Sequence, residues 1–65
     1  MEIKYQWAIK HNRTGEIVVG TVNDSADAAI AVVLKRIDAD SYEALEKIDF
    51  KLVRVRVTIE TISEI

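Results

Sequence analysis

The side chains that could do chemistry are a lone histidine, a short acidic triplet and a scattered set of cations. His11 could move a proton, but cysteine is absent and no serine or carboxylate is placed near it in sequence to complete a triad. Asp38-x-Asp40-x-x-Glu43 has carboxylates at a spacing that could gather around Ca²⁺ and partly echoes an EF-hand loop. It lacks the third ligand pair, the central glycine and the distal glutamate, so it reads as a turn between helices with Ser41 as a cap. Lys4, Lys10, Arg13, Arg54 and Arg56 could hold phosphates. The net charge of −2 and the pI of 5.2 set against that the absence of any basic excess. The expectation is a chain that is not an enzyme, needs no cofactor or metal, and takes no small-molecule substrate.

These side chains depend on the elements that carry them. Val53-Arg54-Val55-Arg56-Val57-Thr58-Ile59-Glu60 alternates branched apolar residues with charged or hydroxyl ones. A strict period of two is a strand with one dry and one wet face. The same period in Ile3, Tyr5, Trp7 and Ile9 predicts a first strand over 3–10. Turn chemistry at His11-Asn12-Arg13-Thr14-Gly15 leads to a second strand over 16–22, apolar on both faces, in which Gly20 marks a bulge or a close backbone approach. Asp24 or Ser25 caps a helix whose Ala26, Ala29, Ile30, Val33, Leu34 and Ile37 follow the i, i+3, i+4, i+7 rule. A second, short helix runs from Tyr42 to about Ile48, and the last strand from Phe50 or Lys51 to about Thr61.

The expected fold is therefore α+β, a two-layer sandwich of order ββα(α)β. Its three-stranded antiparallel sheet has the order 2-1-3, reached by a right-handed crossover, with one main and one short helix on one face. Sixty-five residues make a single domain, residues 1–65, with 62–65 read as a tail. So short a chain buries only roughly 60% of its unfolded surface. With neither disulfide nor metal to help, association is the expected support.

On that fold Lys4, Lys10, Arg54, Arg56 and Thr58 share an uncovered sheet face with Val18, while Tyr5 and Trp7 fall on the core side. The stacking platform that base recognition needs is then missing, and nucleic acid is the weaker reading. Apolar residues exceed what one small core can cover: Ala28, Ala31 and Val32 form a second stripe on the helix, and Ile62 and Ile65 trail at the end. Surplus of this kind marks contact surfaces. The expected function is a protein-protein interaction module that self-associates as a homo-oligomer, through its open sheet face or an edge strand. The candidate contact residues are Lys4, Lys10, Val18, Arg54, Arg56, Thr58, Ile62 and Ile65. No signal peptide or membrane span is read, so the expected setting is cytoplasmic.

Tyr5, Ala8, Gly15, Gly20, Ser25, Ala28/Ala29 and Leu34 resemble the hairpin-plus-helix opening of the inner-membrane platform proteins of type II secretion and type IV pilus systems. The Gly15-to-Gly20 spacing agrees. The turn is longer and the approach to Ser25 shorter than in that pattern, and no function is carried from it. In size and layout the chain is also similar to small phage and mobile-element accessory proteins, anti-CRISPR-type inhibitors among them. That similarity implies inhibition of a host enzyme or defence complex by surface occupation.

Overall fold

A computed structural model describes residues 1–63 of the chain. The elements are β1 (Glu2–His11), α1 (Ala26–Ile37), α2 (Tyr42–Lys47) and β2 (Phe50–Ile59). β1 and β2 pair antiparallel over their whole length, from Glu2 opposite Ile59 to His11 opposite Phe50. The α+β class holds. The three-stranded sheet does not: among the described residues the sheet has two strands.

The segment expected to be the middle strand of the sequence, 16–22, forms no strand with β1 and is tied to it by two isolated bridges at its ends. Lys10 bridges Ile17 and Trp7 bridges Asn23. Between these bridges β1 has Ala8 and Ile9, whereas the other segment has five residues, 18 to 22. The surplus loops outward, with Gly20 at φ +83° and Val19 exposed to solvent. A run that is apolar on both faces has no inside-outside contrast to fix its register, and the glycine offers a way out of the ladder.

Thr21 fills the gap with a side chain. Its buried Oγ1 accepts the Ile9 N–H at 3.1 Å and donates to the Val18 carbonyl at 2.7 Å. The Val18 N–H in turn donates to the Ile9 carbonyl at 2.8 Å. Buried backbone groups must find partners, and here one hydroxyl replaces a missing rung.

Ser25 is the N-cap of α1, its Oγ accepting the Ala28 N–H at 3.3 Å. Asp27 in the first turn and Lys35 and Arg36 in the last complement the helix dipole. The helix stops at Asp38, in the left-handed conformation, whose N–H returns to the Leu34 carbonyl. Ser41 precedes α2.

Ile9, Val33 and Leu45 form the buried centre, with Val18, Ile30, Leu34, Tyr42, Phe50 and Leu52 packed around it. Opposite residues of an antiparallel pair share a face, so Ile9, Leu52 and Phe50 form the side of the ribbon that meets the helices. The ribbon's ten residues span about 33 Å, whereas the twelve of α1 span only about 18 Å. The molecule is accordingly long and thin, 43 × 21 × 16 Å. The half of the ribbon carrying Glu2–Gln6 and Val55–Ile59 extends past the helices.

Candidate functional site

The projecting half of the ribbon carries Lys4, Arg56 and Thr58, with Arg54 at its inner end, in an arrangement that differs from the expected one. Each strand alternates as its sequence requires, but the register sets odd residues of β1 opposite even residues of β2. Trp7 lies opposite Arg54, Tyr5 opposite Arg56 and Ile3 opposite Thr58. The expected basic face is therefore split. Arg54, Arg56 and Thr58 share a face with Tyr5 and Trp7, while Lys4 and Lys10 share the other with Val57 and Lys51. Alternation fixes which residues of one strand go together. It does not fix the offset between strands, and a one-residue offset exchanges the faces.

The aromatics consequently lie with the arginines. The Arg54 guanidinium carbon sits 4.6 Å from the centroid of the Trp7 ring, well within cation–π range. Tyr5 is 61% exposed and Ile3 53% exposed. Tyr5 thus faces solvent rather than filling the core, and Trp7 is half-buried outside the Ile9–Val33–Leu45 centre.

The other candidates scatter. Val18 is half-buried and packs against the Ile9–Val33–Leu45 centre, so it is not on the open face. Lys4 is exposed and Lys10 half-buried on the opposite side of the ribbon from the arginines. Ile62 is exposed beyond the end of β2, and Ile65 lies outside the described residues. Thr21, whose hydroxyl closes the ladder, was hidden in sequence by an apolar run that reads as plain strand.

The edges of the ribbon differ in how much backbone they leave open. Trp7 exchanges both its N–H and its carbonyl with Asn23, at 2.7 and 2.8 Å, and the His11 N–H donates to Glu16 at 2.9 Å. Odd residues of β1 therefore point their backbone groups toward the 16–23 segment. By the alternation of an antiparallel ladder, even residues of β2 point theirs to the outer edge. Leu52 has its N–H on the Tyr42 hydroxyl at 2.7 Å. Arg54, Arg56 and Thr58 have no partner for theirs among the described residues.

A hollow of about 240 Å³ is lined by Asn12, Tyr42, Glu46, Phe50 and Lys51, below the usual range for ligand pockets. His11 packs edge-on against Phe50, ring centroids 5.0 Å apart, with its Nδ1 3.4 Å from the Thr14 hydroxyl. Among the described residues no three of His, Cys, Asp and Glu are grouped to hold a metal ion. No helix among them is long and apolar enough to cross a membrane. Comparison with known proteins points to no relative: no family model matches the chain, and neither a curated protein nor a solved structure is significantly similar to it.

Proposed function

We propose that this chain is a non-catalytic interaction module that self-associates through the open outer edge of its β1–β2 ribbon. The observation that carries this reading is the run of unpartnered backbone groups on β2 from Arg54 to Thr58. An exposed strand edge is a template for another strand. Natural proteins blunt such edges with charged side chains, a bulge, a proline or a covering loop; Arg54 and Arg56 put charge beside this one, but the chain contains no proline, and the helices are too short to reach. Val55, Val57 and Ile59 add a half-exposed apolar row beside it. The lack of cysteine fits a reducing compartment, and the reading takes the chain as cytoplasmic. Light scattering behind size-exclusion chromatography, over a concentration series, tests it. A mass near twice 7.3 kDa is expected, and a monomer at every concentration would overturn it.

A second reading has one observation in its favour. Tyr5 and Trp7 share a face with Arg54 and Arg56, and aromatics with arginines form a surface on which single-stranded nucleic acid stacks. Titration with labelled single strands at low salt tests that reading, which requires affinity to fall as salt rises.

A further inference from the structure

Resting on the self-association reading, we infer that the partner strand is β2 of a second copy, antiparallel and centred on Val57, so that two ribbons make one four-stranded sheet of order β1-β2-β2-β1. Three observations carry this. The first is the length of open edge. β1 has its outward groups taken at Trp7, Ile9 and His11, which leaves Ile3 and Tyr5. β2 leaves the longer run, Arg54 to Thr58.

The second is charge. Antiparallel pairing of identical strands about a two-fold axis is isologous, so each contact occurs twice. Centring on Val55 or on Arg56 sets arginine opposite arginine, and centring on Glu60 sets glutamate opposite glutamate; like charges directly opposite are destabilising. Centring on Val57 sets Arg54 opposite Glu60 of the second copy and Arg56 opposite its Thr58. Centring on Thr58 sets Arg56 opposite Glu60 instead.

The third observation separates these two registers. About Val57 the other face pairs Val55 with Ile59, Val57 with Val57 and Ile59 with Val55, all apolar. About Thr58 it sets Val55 opposite Thr61. The half-buried Val55 and Val57 and the 43% exposed Ile59 form one continuous apolar row only in the first arrangement. Both arrangements use the outward backbone groups of Arg54, Arg56 and Thr58.

Charge exchange with a single introduced cysteine tests the register. Arg54→Glu and Glu60→Arg should each weaken the dimer about tenfold, because two cross-strand pairs are lost, and the double variant R54E/E60R should restore it. The chain has no cysteine, so Val57→Cys reports on one pair alone. Directly opposite, non-hydrogen-bonded residues have Cα atoms about 4.5 Å apart, within disulfide reach, and mild oxidation should give a covalent dimer. Circular dichroism checks that every variant is folded. Restoration by R56E/E60R in place of R54E/E60R, with Thr58→Cys cross-linking better than Val57→Cys, would overturn the register and leave self-association standing. A dimer indifferent to all these changes would overturn the edge as the interface. A wild-type monomer would overturn the reading on which the inference rests.

Discussion

The Arg54 guanidinium lies 4.6 Å from the centre of the Trp7 ring, directly across the ladder from it. The two are a non-hydrogen-bonded pair, since Trp7 gives its backbone groups to Asn23, and such pairs bring side chains closest. A cation over an indole face at a partly exposed site contributes about 0.5–1 kcal/mol. At concentrations low enough to dissociate any dimer, Arg54→Ala should lower stability by that amount, and Arg54→Lys by less. Urea melts followed by Trp7 emission measure both. An unchanged midpoint for Arg54→Ala would show that the contact has no energetic weight.

Thr21→Val keeps the shape of the side chain and removes its hydroxyl. The Ile9 N–H then loses its partner at a fully buried position, at a cost of about 1–3 kcal/mol. Thr21→Ser retains both hydrogen bonds and should cost less. Chemical denaturation ranks the two, and equal losses would mean that packing, not the hydroxyl, holds the segment.

Gly15 and Gly20 both have positive φ, +78° and +83°, but differ in surroundings. A Cβ on Gly15 meets nothing within 4 Å, while one on Gly20 comes within 2.8 Å of the Arg36 Nη2. Gly15→Ala should cost about 1 kcal/mol through backbone strain alone. Gly20→Ala should also dislodge the Arg36 side chain from the Val19 carbonyl, which it holds at 2.6 Å. In the Arg36→Ala background the cost of Gly20→Ala should fall toward that of Gly15→Ala. A double-mutant cycle measures the coupling; additivity would count against it.

Asp38→Gly is expected to stabilise. Asp38 ends α1 at φ 55°, ψ 50°, a conformation that costs a side-chain-bearing residue about 1 kcal/mol, and its negative charge sits at the negative end of the helix dipole. Both effects favour glycine. The gain is less than the sum, since glycine frees the unfolded chain; a thermal midpoint raised by a few degrees is the expected readout.

How far these relationships could be read from sequence depends on the range over which each is decided. The Ser25 cap, the apolar stripe of α1 and the alternation of Val53–Ile59 are settled within a few residues, and the structure has them where the pattern places them. Gly20, expected to mark a bulge or a close backbone approach in a strand, instead sits at φ +83° where the segment leaves the ladder, beside the Arg36 side chain. The strand over 16–22 was not legible as broken, because its length relative to Ala8–Ile9 is decided by where Asn23 meets Trp7. The pairing of Trp7 with Arg54 was not legible either. It depends on the offset between strands at opposite ends of the chain, which no local period contains.

That offset also sets an order of events. Even the pair nearest in sequence, His11 with Phe50, encloses both helices, so the ladder cannot nucleate as a local hairpin and must await the packing of Ile9, Leu52 and Phe50 on α1 and α2. From there it closes like a zipper toward Glu2 and Ile59, and it opens from that end first. Amide protons at Lys4 and Gln6 should therefore exchange ahead of those at Ala8 and Lys10. The strand edge open to a second copy belongs to the half of the ribbon that closes last, which ties dimerisation to the final step of folding.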